Sequence, residues 1–254
     1  MVLFELCVVS VLGLVLGSFA TALVHRVPQG VNWVSRRSAC PSCDHKLCIA
    51  DLVPVLSWFA SGGKCRHCKA PVSGRYALIE ILVMGLCLVI YFVFGFGIES
   101  LFILALAPVL IALLIIDLDH MILPNQLVFG VGLIGLGRLV YVFLSGLDAS
   151  FYTVIVPFGL SALVYGGLSF FLRWFLGRVL GKEALGFGDV KFFLAAGLWL
   201  GLDLLPHFLI ISGLLGVCFG LIWRIMGKGQ LFPFGPALIV TLFVLILFQG
   251  PFLN

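Results

Sequence analysis

Two short acidic stretches stand at the edges of long apolar segments: Ile116-Asp117-Leu118-Asp119-His120-Met121-Ile122-Leu123-Pro124-Asn125 and Gly186-Phe187-Gly188-Asp189-Val190-Lys191. A carboxylate beside a membrane-length apolar run is expensive, and functional by default. Two carboxylates within a few ångströms of one another cannot both ionise easily, so they share a proton and titrate as a pair. One can act as general base toward a water while the other, protonated, polarises a peptide carbonyl. That is peptide hydrolysis with no covalent intermediate and no Ser or Cys nucleophile. Gly186 and Gly188 would aim Asp189, because a residue without Cβ allows a strained turn and a close backbone approach. The same aspartates also fit a structural role, ending helices and pairing with Arg173, Arg178 or Lys191, and a third role as proton or ion ligands. A metal site built from Asp117, Asp119 and His120 lacks a distant fourth ligand.

A second set of reactive side chains lies upstream. Cys40-Pro41-Ser42-Cys43 and Cys65-Arg66-His67-Cys68 are C-x-x-C pairs with 21 residues between them, slightly more than the roughly 15 to 20 of the common zinc pattern. Four thiolates so arranged present a tetrahedral set to zinc. Two disulfides or a redox dithiol are the competing uses. The polar stretch 25–76 is too short to bury much core, so a structural metal would supply what packing cannot. Cys48 has no C-x-x-C partner, and Cys7, Cys87 and Cys218 lie in apolar runs as small buried hydrophobes. Between the pairs, Leu52-Val53-Pro54-Val55-Leu56-Ser57-Trp58-Phe59-Ala60 is too short to span and is expected along the membrane interface or against the zinc module.

The elements that must position these groups are membrane helices. Apolar residues make up 62% of the 254 positions and charged residues 10%, against about 45–50% and about 25% in soluble domains. A span needs about 20 apolar residues; eight segments qualify loosely, at 2–24, 77–96, 101–116, 127–144, 152–176, 190–202, 208–226 and 234–248, the sixth being short. The first has its basic residues after the apolar run, the reverse of a cleaved signal peptide. Eight of the fifteen Lys and Arg residues fall between Arg26 and Arg75, followed by Arg173, Arg178, Lys182, Lys191, Arg224 and Lys228; only Arg138 falls inside a span. The opposite connections carry Glu99, Asp148 and Asp203 and no basic residue. By the positive-inside rule both chain ends face away from the cytoplasm, and the basic loop, Asp117 and Asp189 face it. Thiols on that side stay reduced, which favours metal over disulfide. Glu80, at the start of the second span, serves either to complement a helix N-terminus or to make a polar contact with substrate or cofactor.

At this point the chain resembles a known family, the bacterial type 4 prepilin leader peptidases of the Gly-x-Gly-Asp class of membrane aspartic proteases. The resemblance is carried by Leu16 to Pro28, by the cysteine loop with Val53 to Trp58 inside it, and by Ser73-Gly74-Arg75-Tyr76-Ala77-Leu78-Ile79-Glu80. It continues through Asp117 with Leu123-Pro124, Gly186 to Lys191, and Pro233-Phe234-Gly235-Pro236, all in the family's order. It implies that Asp117 and Asp189 are the catalytic dyad. Asp117 is selected over Asp119 by its seven-residue distance from Pro124, and Gly186, Gly188, Lys191, Pro124 and Glu80 are supporting positions. It implies removal of a basic leader from prepilins and type II secretion pseudopilins at the cytoplasmic face, after a glycine. It further implies methylation of the new N-terminus with S-adenosylmethionine, at residues that motif physics does not name. Thr21, Ala77 and Asn125 stand where the family commonly has Asn, Pro and Asp.

The resulting expectation is an all-α inner-membrane protein of about eight spans. Residues 1–24 form the first helix, 25–76 a cytoplasmic zinc-binding loop held by four cysteines, and 77–254 the membrane-embedded peptidase domain. Its partners are prepilin and pseudopilin precursors and membrane lipid, with no nucleic acid. The alternatives are an ion- or proton-coupled transporter, which would carry more polar groups at the bilayer midplane, and a non-catalytic component of a secretion or pilus assembly machine, which would leave both aspartate motifs unexplained.

Overall fold

The computed structural model describes residues 2–33, 37–145, 151–181, 185–229 and 231–250; Asp148 and Lys182 of the charge pattern lie outside them. Among the described residues the chain is helical, without strands. The helices are α1 (Val2–Arg26), α2 (Leu56–Ala60), α3 (Arg75–Phe94), α4 (Ile98–His120), α5 (Asn125–Leu144), α6 (Ile155–Leu180), α7 (Phe187–Leu200), α8 (Leu205–Ile225) and α9 (Gly235–Gln249). Six of them, α1, α3, α4, α5, α6 and α8, are long and apolar enough to cross a membrane. Helices α7 and α9 have 14 and 15 residues, about 21 and 22 Å at 1.5 Å per residue, less than the roughly 30 Å hydrocarbon core. The expected count of eight spans rests on these two.

The chain divides inside α4 into two compact units, Met1–Ala112 and Leu113–Asn254. In the first, α1 and α3 run antiparallel. The Tyr91 hydroxyl donates to Glu5 at 2.6 Å near one end, and Gly17 meets Glu80 near the other. In lipid, apolar burial does not drive helices together, so close packing of small residues must. Gly13 and Gly17 form a G-x-x-x-G seam on which a Cβ would sit 2.7 Å from the Met84 Cα and 2.6 Å from the Glu80 Cα. Val9, Ala20, Val83, Cys87 and Ile90 complete a fully buried contact line.

In the second unit α7 is the central helix, packed against α5, α6 and α9. Nine of its residues are buried, from Asp189 to Leu200, the pattern of a helix enclosed on all sides. Backbones again approach through glycine: a Cβ on Gly197 would lie 2.6 Å from the Ala162 Cα, and one on Gly135 would lie 2.7 Å from the Trp199 indole nitrogen. Trp199 is fully buried and donates its indole N–H to the Val131 carbonyl at 3.1 Å. Arg138, 2% exposed, lies over its ring at 5.5 Å. Tyr165 donates to the Gly201 carbonyl at 3.1 Å, closing the far end of α7.

This packing predicts opposite responses at two glycines of unit one. Gly17→Val should cost on the order of 1–3 kcal/mol by overpacking and lower the thermal midpoint in detergent. Gly85→Ala, whose Cβ would meet nothing within 4 Å, should leave the midpoint unchanged or raise it. Equal midpoints for wild type and Gly17→Val would refute the seam.

Candidate functional site

Asp117 sits in the last turn of α4 and Asp189 in the first turn of α7, and both are buried. A carboxylate at a helix C-terminus is repelled by its own macrodipole. Asp117 is compensated from another helix: its Oδ2 accepts the N–H of Gly235, the first residue of α9, at 2.9 Å. That amide is one of the donors a helix start leaves without an internal partner. Asp189 occupies the third position of its own helix, where its Oδ2 accepts the Gly186 N–H at 3.0 Å, the carboxylate half of a capping box. Both carboxyl groups therefore face helix N-termini, where negative charge is favoured.

The loop after α4 brings these two ends together. Met121 takes a left-handed φ of 54°, reversing the chain, and Pro124 precedes α5 with its fixed φ of −61°. Leu123, between them, is the spacer of the site. A Cβ on Gly188 would lie 3.0 Å from the Leu123 Cβ, and one on Gly235 would lie 3.1 Å from its Cδ2 and 2.5 Å from the Asp117 Oδ2. Asp117 and Asp189 consequently come within electrostatic reach of one another. The glycines act here by space rather than by backbone angle. Gly186 has an ordinary extended φ of −66°, so the strained turn expected at Gly186 and Gly188 is absent, and the expected close approach is present.

The cations suggested as ion-pair partners are engaged elsewhere. Lys191 donates to the Asn125 Oδ1 at 2.7 Å and lies over the Phe187 ring at 4.7 Å. Arg173 donates to the Leu185 carbonyl, and its charge also acts on Asp189. Asn125 thus ties the start of α5 to the first turn of α7, beside the acidic pair. Asp119 is two residues from Asp117, on a different side of α4. Sequence reasoning gave Gly235 and Leu123 no role of their own; the signal for Gly235 was its place before Pro236, a proline marking a helix start.

In the first unit, Cys40, Cys43, Cys65 and Cys68 come together with their sulfurs all within 4.8 Å of one another. The Cys40 and Cys68 sulfurs are 3.9 Å apart, close to the ~3.8 Å edge of a tetrahedron with Zn–S bonds of about 2.3 Å. Each C-x-x-C is a tight knuckle of the same form. Asp44 donates its N–H to the Cys40 carbonyl and Lys69 to the Cys65 carbonyl, at 2.9 and 3.0 Å, and both take positive φ. The amides of Ser42 and Cys43 pull the Cys40 thiol down to about 7, toward the thiolate a metal requires, while Cys43 beside it is pushed up to about 11, the His45 amide being outweighed by burial and the neighbouring Cys40 and Cys68 sulfurs. These four residues can hold a metal ion. Cys48 is not among them; its thiol donates to Asp51 at 2.9 Å, and Asp51 pairs with Arg66 at 3.1 Å.

Glu80, 8% exposed, is the joint of this unit. It lies in the second turn of α3, beyond the reach of the helix-end dipole. Its Oε2 accepts the Val55 N–H at 2.7 Å, and the Ser18 hydroxyl donates to it as well. Val55 has φ 61° and ψ −52°, a conformation a β-branched residue adopts at a cost on the order of 1–3 kcal/mol. Three separated stretches, Gly17-Ser18, Val53 to Trp58 and Ser73 to Glu80, therefore meet at one carboxylate. Trp58 lies on the loop module, over Gly63 and Gly74, with its indole N–H on the Val72 carbonyl at 3.0 Å.

The class is thus a helical membrane protein with an acidic pair at helix ends in one unit and a four-cysteine metal-type cluster in the other. Comparison with known proteins agrees. Residues 11–94 match the bacterial peptidase A24 N-terminal domain and residues 104–221 the type IV leader peptidase family. The chain is 32% identical to the prepilin leader peptidase/N-methyltransferase of Aeromonas hydrophila, over 94% of this chain and 89% of that one. It is 32% identical to that of Pseudomonas aeruginosa, over 96% and 90%. It is 33% identical to the type 4 prepilin-like proteins leader peptide-processing enzyme of Escherichia coli O78:H11, over 93% of each. No solved structure matches. The chain belongs to the type IV leader peptidase family.

Two outcomes follow from the geometry. Purified protein should carry one equivalent of a divalent metal per chain by elemental analysis, and Cys43→Ser or Cys65→Ser should remove most of it and lower the thermal midpoint. Full metal retention in both would contradict the cluster. Gly235→Ala should displace the Asp117 carboxylate and reduce turnover of a prepilin by on the order of 10²-fold, the scale on which a misplacement of about 1 Å acts.

Proposed function

We propose that the protein is a membrane aspartic endopeptidase that removes the basic leader from prepilin and pseudopilin precursors and methylates the exposed N-terminus. The single observation that supports the first activity is the convergence of Asp117 and Asp189 across Leu123, each held by a helix-terminal amide. In this reading the ionised member takes a proton from water. The water oxygen adds to the scissile carbonyl carbon, and the protonated member donates a hydrogen bond to the carbonyl oxygen. Collapse breaks the C–N bond, and the proton passes to the leaving amine. Gly235 and Gly186 would then orient the carboxylates rather than react. The electrostatics suit the substrate, since a basic leader is drawn to an acidic pair while the apolar segment behind it stays in lipid.

For topology we take the arrangement in which α7 and α9 complete eight crossings, both chain ends are periplasmic, and the basic loop and both aspartates face the cytoplasm of an inner membrane. Positive-inside charge supports it. We assign zinc to the four-cysteine cluster, where Cys40, Cys43, Cys65 and Cys68 would hold it; the metal would supply folding free energy to a loop that Glu80 ties to α1 and α3. S-adenosylmethionine would supply the methyl group of the second reaction. Thr21 turns its hydroxyl back on the Ser18 carbonyl at 2.7 Å, so it is engaged within α1.

Asp117→Asn and Asp189→Asn should each lower cleavage of a prepilin in lipid vesicles by on the order of 10³-fold, within the range for loss of a general acid or base, while protein levels are maintained. Asp119→Asn should cleave normally. Wild-type cleavage by either of the first two variants would exclude the dyad.

A further inference from the structure

Helix α6 ends in a concentration of aromatic and basic side chains that the peptidase reading leaves unused. On a helical repeat, Phe170, Trp174 and Arg178 form one row and Arg173 and Gly177 the next. Between the rows is a cavity of about 310 Å³ lined by these five residues. Gly177 gives it a floor without a side chain. Its basic walls are braced by aromatic faces: Arg178 lies over the Trp174 ring at 5.5 Å and Arg173 over the Phe187 ring at 5.9 Å. Phe170 and Trp174 are 56% and 53% exposed. On a helix that crosses a membrane, such rings belong at the boundary between tails and headgroups.

We propose that this groove binds the headgroup of an anionic phospholipid, its phosphate between Arg173 and Arg178 and an acyl chain along Phe170 and Trp174. A guanidinium fork matches phosphate oxygens in pairs, and basic pockets at membrane level take anionic headgroups. A basic residue in the last turn of a helix also complements the dipole, which accounts for the charge of Arg178. It does not account for the cavity between Arg178 and Arg173, which lies more than a turn earlier and also donates to the Leu185 carbonyl. A site for a free anion would be walled by polar donors, whereas among the described residues the rest of the lining is Phe170, Trp174 and Gly177, which suits an amphiphile. The inference does not depend on the peptidase reading and requires only that α6 lie in a bilayer.

The test is native mass spectrometry of the full-length protein in detergent, incubated separately with phosphatidylglycerol and phosphatidylcholine. Wild type should retain phosphatidylglycerol preferentially, and Arg178→Gln should retain roughly fivefold less, the worth of one cation near an anionic headgroup. Arg178→Lys, which keeps the charge but loses the fork, should retain phosphatidylglycerol to a level between Arg178→Gln and wild type and guards against a folding failure of the first variant. Arg224→Gln, at the end of α8, should retain phosphatidylglycerol as wild type does. Equal retention by wild type and Arg178→Gln, or equal retention of the two lipids, would overturn the proposal. Displacement by millimolar inorganic phosphate would assign the groove to a soluble anion. Unchanged lipid retention with a raised KM for a peptide substrate would assign it to an acidic stretch of that peptide. Either result would overturn the lipid assignment.

Discussion

Burying a carboxylate in a helical membrane protein costs free energy unless backbone amides replace the water it has lost. The architecture of the second unit follows from meeting that requirement twice. Asp117 lies where its own helix disfavours it, and the N–H of Gly235, 118 residues away in sequence, compensates from the start of α9. Asp189 is compensated within its own first turn, by Gly186. Each solution needs a glycine where a Cβ would collide: with the Asp117 carboxylate at Gly235, and with Leu123 at Gly188. The short helices α7 and α9 thus matter less as spans than as donors whose first turns converge on the acidic pair.

The same economy of space governs packing in both units. With lipid on the outside there is little to gain by hiding apolar side chains, and close approach of backbones supplies the attraction. Gly13 and Gly17 fix α3 against α1, and Gly135 and Gly197 fix α5 and α6 against α7. In the loop between α1 and α3, the longest stretch between long helices among the described residues, packing gives way to polar and metal-type links. Glu80 holds the strained Val55, Trp58 caps the loop module, and four sulfurs gather within 4.8 Å of one another.

Much of this was legible in the chain itself. Apolar runs located the long helices, C-x-x-C spacing located the cluster, and the costliness of carboxylates beside apolar segments singled out Asp117 and Asp189. What the apolar windows misplaced were helix ends. The segment 101–116 continues to His120 and the segment 190–202 begins at Phe187, so both aspartates lie inside helices rather than beyond them. A hydropathy window stops at the first polar residue, whereas a helix stops where its terminal N–H and C=O groups find other partners. For the same reason spacing could not choose between the two roles open to Glu80, since its partner is the amide of a β-branched residue in an unusual backbone conformation. Such a pairing leaves no trace in spacing. The role of Gly235 was hidden by distance in sequence, although the Gly-Pro that starts α9 marked it as a place where something must approach.

The central claim is that one acidic pair hydrolyses a peptide bond at the membrane and that the new N-terminus is then methylated. Its most direct test is intact-mass spectrometry of a prepilin after incubation with the purified protein in lipid, with and without S-adenosylmethionine. The account predicts loss of the leader in both samples and addition of one methyl group only where the donor is present. A precursor left intact, with zinc bound and several substrates tried, would contradict it.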